Sequence, residues 1–310
     1  MRMSSRKRTH SDVQAAEQCL RKYSDVFRCE LLAQVPSDDK PPCFYAIAKN
    51  SSGVESRVFV KGPLSTSDSS AMQMMAACLL SDKLKPMFQL RAIGTSVAVV
   101  ESYDESTKAF IIMVDVCNGD SVPVDSALHC WHNDVAQVDV FTKSSSSVQP
   151  LRATSMNVYS RDVRINIFMH LALRFVLGVQ TAELDDILVD TDNQLVYSVD
   201  ETILFVYESL TDNLIGQATC CQETAITFIQ LIISPNKLEL LSRLGDWRNL
   251  LNNDTAIPYY INEYAIHIGV DTRLVFGKCK ERLDYLIDYI HNNELLCHPL
   301  YGGRAGVHAT

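Results

Sequence analysis

Carboxylates crowd the stretch from 183 to 200, and their spacing is the most chemical feature of this 310-residue chain. The run Asp186-Ile-Leu-Val-Asp190, a Thr-Asp-Asn turn, and Gln194-Leu-Val-Tyr-Ser-Val-Asp200 read as a short hairpin with a carboxylate at each end. The separation 200 − 186 = 14 residues brings Asp186 and Asp200 to one edge of it. Carboxylates are hard oxygen ligands, suited to a divalent cation such as magnesium. A lone cation, Lys61, closes the β-rich run Val58-Phe59-Val60-Lys61 just before Gly62-Pro63; by itself it is an ordinary lysine at a strand end. The nearest approach to a soft-metal cluster, His129-Cys130-Trp131-His132, lacks a second spaced pair of ligands. The chain holds no Gly-x-Ser-x-Gly elbow, no His-Glu-x-x-His and no Gly-x-x-x-x-Gly-Lys-[Ser/Thr] phosphate loop.

The elements that must position these residues change character near the middle of the chain. Phe44 to Ala48 and Val58 to Lys61 are strand runs about an Asn50-Ser-Ser-Gly53 turn signal, and they predict an antiparallel hairpin ending at the lysine. Asp68-Ser69-Ser70 predicts the cap of a helix over 71–85, with Met72, Met75, Ala76 and Leu79 inward and Pro86 ending it. Residues 95–101 and 109–115 read as a second strand pair. A helix over 162–177 follows, with Val163, Ile167, Leu171 and Phe175 spaced by four and Gly178 at its end. Further helices are predicted at 222–233, 236–251, 258–267 and 272–296, the last with Leu274, Cys279, Leu283, Leu286, Ile287 and Ile290 inward.

Leu177-Gly178-Val179-Gln180-Thr181-Ala182-Glu183-Leu184-Asp185-Asp186-Ile187-Leu188-Val189, followed by Tyr197-Ser198-Val199-Asp200, resembles the catalytic loop and metal-binding hairpin of the phosphoinositide 3-kinase-like and related atypical kinases. The close match covers about 25 residues, and the order of elements matches loosely. The resemblance implies an α+β, two-lobed kinase-like fold with a β-rich N-lobe and a helical C-lobe. Residues 1–38 are then a flexible or helical extension, 39–116 the N-lobe, 117–155 an insertion near the hinge, 156–298 the C-lobe and 299–310 a flexible tail. It implies ATP and Mg²⁺ as cofactors, with Lys61 reaching the phosphates and Asp186 and Asp200 holding the metal. Phosphoryl transfer depends on positioning and on neutralising polyphosphate charge, so these are the parts it needs.

The departures from the family pattern bear on activity. Thr181 stands where the family has its catalytic Asp, and threonine is no base at neutral pH. Glu183 and Asp185 are the nearest substitutes. Glu201-Thr202 replaces the Phe-Gly that follows the metal-binding Asp, and Lys49-Asn-Ser-Ser-Gly53 offers a single glycine for covering phosphates. The helix at 71–85 has no central acid for Lys61; Gln73 and Asp82 are nearest. A pseudokinase that binds ATP and magnesium with weak or no transfer is therefore expected. The alternatives are a structural or interaction protein of a larger assembly that uses this fold without ligand, and an active atypical protein or lipid kinase.

Composition limits the other classes. Lys+Arg 28 against Asp+Glu 37 gives a net charge of −9, which disfavours whole-surface nucleic-acid binding. Hydrophobic residues at 47% with charged residues at 21% support a substantial core. Ten cysteines scattered through apolar runs point to a reducing, intracellular home, cytoplasmic or nuclear. No apolar run reaches the roughly 20 residues of a membrane span, so a soluble protein with protein partners is expected.

Overall fold

The structure is a computed structural model describing residues 30–35, 43–49, 55–101, 107–114, 148–150, 158–179, 186–199, 201–206, 229–269 and 271–291. It is an α+β fold whose chain divides into two compact units at 75/76, 92/93 and 148/149.

The first unit is built on strands β1 (Glu30–Val35), β2 (Cys43–Lys49), β3 (Glu55–Ser65), β4 (Ser96–Glu101) and β5 (Thr107–Val114). Every neighbouring pair is antiparallel, and the order across the sheet is β1-β2-β3-β5-β4. β3 is the middle strand because its β-branched and aromatic run suits a pleat flanked on both sides. It does not stop at the lysine, as the sequence reading has it, but continues through Gly62-Pro63 to Ser65. Strand β1 also departs from expectation, falling in the 1–38 extension read as flexible or helical. Its run Glu-Leu-Leu-Ala-Gln-Val has no clean alternation, and its pairing with β2 is what makes it a strand.

Helix α1 (Ser69–Met87) lies between β3 and β4 in sequence. Asp68 caps it as predicted, its carboxylate accepting from the Ser70 amide at 2.9 Å and the Ser70 hydroxyl at 2.7 Å. These hydrogen bonds hold the Asp68 carboxyl below its ordinary range. Ser69 to Met75 belong to the first unit, and from Ala76 onward the helix belongs to the second. Met75 and Ala76 are buried as predicted, together with Ala77, Leu80 and Leu84, while Met72 and Leu79 are only half-buried. Pro86 lies inside the last turn instead of ending the helix.

The second unit is organised around α2 (Arg161–Val176), buried at Val163, Ile165 and every residue from Ile167 to Val176. A helix apolar on all sides is a central helix. Its end is a Schellman motif: the Val179 amide donates to the Arg174 carbonyl and the Gly178 amide to the Phe175 carbonyl, both at 3.0 Å. Gly178 takes φ 61°, which a side chain would strain. Strands β6 (Val148–Pro150), β7 (Ile187–Asp190) and β8 (Leu195–Ser198) form a three-stranded sheet in that order. A π-helical turn at Ile229–Ile233 leads into α3 (Ser234–Asn253), followed by α4 (Ala256–Ile268) and α5 (Thr272–His291). Leu240, Leu244, Trp247 and Leu251 of α3 join α2 in one core with Val275, Cys279, Leu283, Leu286 and Ile290 of α5. Leu274 corrects the predicted face: it is 61% exposed, and its neighbour Val275 takes the inward place. No helix of the described residues is long and apolar enough to cross a membrane.

Candidate functional site

Lys61 sits on the middle strand, opposite Cys43 of β2 and Ile111 of β5. Pairing directly across the ladder puts it on the sheet face of Phe59, Ile111 and Met113, while Val58 and Val60 face the other way. Between Lys61 and Leu64 the register against β5 slips. Gly62, at φ 148°, sits inside that slip and supplies a conformation other residues rarely adopt. The lysine is half-buried.

In the second unit, β7 and β8 pair Ile187 with Ser198 and Asp190 with Leu195, so the predicted hairpin forms. Asp190 makes its turn: one carboxylate oxygen accepts from the amides of Asp192 and Asn193 at 3.1 and 3.0 Å, the other from the Asn193 side chain at 2.7 Å. That carboxylate serves the turn. Asp186 stands immediately before β7, and its backbone carbonyl accepts from the Val199 amide at 2.9 Å. Its carboxylate accepts from Arg174 at 2.7 Å. Arg174 is 2% exposed and also donates to the Val199 carbonyl at 3.3 Å. Thr181, Glu183, Asp185 and Asp200 lie outside the described residues.

A second ion pair, buried at both partners, flanks the same hairpin end. From the last turn of α1, Lys85 donates to the Ser198 carbonyl at 2.7 Å and meets the Glu201 carboxylate at 3.0 Å. Asp82 is 3.8 Å from the same ammonium. His170, one turn before Arg174 on α2, shares a 3.0 Å hydrogen bond between its Nδ1 and the Ser198 hydroxyl. Lys85, Glu201, His170 and Ser198 are all buried.

The charges of this cluster are set by burial and by one another. Burial lowers the His170 pKa to about 3, with the Lys85 charge acting in the same direction, so the ring is neutral. Burial alone would raise Glu201. The charges of Lys85 and then Arg174, together with hydrogen bonds from Ser198 and Lys85, outweigh it and hold the carboxyl at about 2. The hairpin end is thus bracketed by two ion pairs, Lys85–Glu201 and Arg174–Asp186.

Magnesium, which the kinase resemblance implies, would call on Asp186. The donor chemistry there does not fit a divalent cation, because the carboxylate is already neutralised by a buried guanidinium that repels a second positive charge. Among the described residues no group of three or more His, Cys, Asp or Glu side chains is placed to hold a metal ion.

Lys85, His170, Arg174, Ser198 and Glu201 escape the sequence reading. One signal for two of them is legible: His170 and Arg174 lie four apart in the otherwise apolar run Ile167-Phe-Met-His-Leu-Ala-Leu-Arg-Phe-Val176, and polar residues in a helix apolar on all sides need buried partners. Lys85 carries no such signal, since a lysine in a last helical turn normally favours the helix dipole from the surface. A scan against protein-family models matches no family, and a search of curated proteins finds no matching relative.

Proposed function

We propose that this chain is a kinase-like protein, a pseudokinase that binds ATP and transfers its phosphoryl group weakly or not at all. The observation that carries this reading is the sheet order β1-β2-β3-β5-β4, with α1 inserted between β3 and β4 and Lys61 on β3 beside a bulge. A rigid middle strand is a good mount for a cation meant to meet phosphates. The helical second unit, with a central helix leading to the β7–β8 hairpin, supports the same two-lobed reading. In this reading Lys61 holds the phosphates and Asp200 any magnesium, while Thr181 leaves transfer without its base. Glu183 and Asp185 are the substitutes if turnover survives. A positioned base is worth about 10²–10⁴-fold in rate, so its loss removes turnover before it removes binding.

The second reading, an interaction protein without ligand, is favoured by one observation: Glu201 is committed to a buried ion pair and Asp186 to a half-buried one. Thermal denaturation of the full chain with and without millimolar ATP and Mg²⁺ separates the two. A rise that Lys61→Met removes supports nucleotide binding, since a ligand held only by the folded state stabilises it by RT ln(1 + [L]/Kd). No rise supports the interaction protein. Phosphorylation of itself, a generic protein or a lipid that Asp200→Ala abolishes would overturn the inactive half.

A further inference from the structure

We propose that Arg174 takes the place of a metal at Asp186, so that this carboxylate is closed to divalent cations and nucleotide binding does not pass through it. The inference rests on the nucleotide-binding reading for its second half only. Arg174 is not a mobile surface charge: it lies on the buried central helix, is 2% exposed, and is held by the Val199 carbonyl as well as by Asp186. The Schellman turn immediately after it anchors that helix end, with the Arg174 carbonyl itself accepting from Val179. Asp186 is fixed from the other side through its backbone bond to Val199. Both charges therefore sit on backbone that is hydrogen-bonded locally, at a separation of 2.7 Å. A cation ligating Asp186 would have to share it with the guanidinium or displace the guanidinium, and a buried arginine that loses its carboxylate is left as a costly uncompensated charge.

The test uses the full chain and Asp186→Asn, a near-isosteric change that leaves the Arg174 hydrogen bond an acceptor. Mn²⁺ alone is titrated and the bound fraction read by paramagnetic resonance. The expected result is a bound fraction that is the same in both proteins, whether zero or contributed elsewhere; a site present in wild type and lost in Asp186→Asn overturns the proposal. ATP is then titrated in Mg²⁺ and in EDTA. Affinity within about twofold between the two proteins in Mg²⁺ supports the proposal, and a loss of about tenfold or more, seen only in Mg²⁺, overturns it; a tenfold change corresponds to about 1.4 kcal/mol. Absence of ATP binding in either buffer sinks the nucleotide reading, and the Mn²⁺ result then decides the closure of Asp186 by itself.

Discussion

Replacing Lys85 by Met should unfold the second unit far more readily than loss of a surface charge would. The ammonium is 1% exposed and Glu201 4%, with 3.0 Å between them. Removing one member of a buried pair leaves the other uncompensated and costs about 3–5 kcal/mol. Lys85→Met also strips the Ser198 carbonyl of its 2.7 Å donor, which places it at the upper end of that range. Glu201→Gln should cost less, because Lys85 keeps Ser198 and the Asp82 carboxylate at 3.8 Å. The double variant Lys85→Met/Glu201→Leu removes both charges, and an apolar pair in place of a buried ion pair is often neutral, so it should be more stable than Lys85→Met alone. Urea unfolding followed by tryptophan fluorescence reads this directly. Trp131 and Trp247 are the two tryptophans, so a Trp131→Phe background leaves Trp247 as reporter. That ring is buried in the second unit, 4.9 Å from the Phe88 ring, and donates to the Phe88 carbonyl at 3.1 Å. A cost below about 1 kcal/mol for Lys85→Met, the range of exposed pairs, would refute the reasoning. So would a double variant whose loss equals the sum of those of Lys85→Met and Glu201→Leu measured singly.

Stability should also fall in acid. The folded His170 pKa is depressed to about 3 from 6.5, so the unfolded chain binds the extra proton and stability drops as pH falls from 6.5 towards 3, by up to about 1.4 kcal/mol per unit. Glu201, lowered from 4.5 to about 2, adds a loss in the same direction only below 4.5. His170→Asn should flatten the urea-midpoint profile between 6.5 and 4.5, and an unchanged slope there would contradict the assignment. Gly178→Ala, at φ 61°, should lower stability by about 1 kcal/mol in the same assay, with Gly178→Asn costing less. On α5, Leu283→Ala should cost about 2–5 kcal/mol while Leu274→Ala stays within about 0.5, because the first is 1% exposed and the second 61%.

What was legible in the sequence follows from locality. The spacing of Val163, Ile167, Leu171 and Phe175 with Gly178 after them identifies α2 and its end, because period and cap are written within one segment. The β7–β8 hairpin is legible for the same reason, its two runs joined by a short polar turn. Strand β1 is not, since its pairing partner β2 and not its own pattern defines it. Leu274 illustrates a phase error: adjacent apolar residues at 274 and 275 fit the helical period almost equally, and only packing against α2 and α3 selects Val275. The polar cluster is the least legible part. Lys85 and Glu201 are 116 residues apart, and each alone reads as an ordinary surface charge. Lys61 lies on a strand as expected, Asp186 lies at the hairpin but bound to Arg174, and Thr181, Glu183, Asp185 and Asp200 fall outside the described residues.

The net charge of −9 sharpens the functional question, because a polyanionic ligand needs local positive charge on an acidic chain. The nucleotide reading depends on Lys61, the strand lysine that the kinase resemblance sets at the phosphates. Calorimetric titration of the full chain with ATP and Mg²⁺, beside Lys61→Met, tests that dependence most directly. One saturable site is expected in wild type, weakened about tenfold or more by the substitution, a difference of at least about 1.4 kcal/mol. No saturable binding at millimolar ATP, or equal affinity in the two proteins, would contradict it.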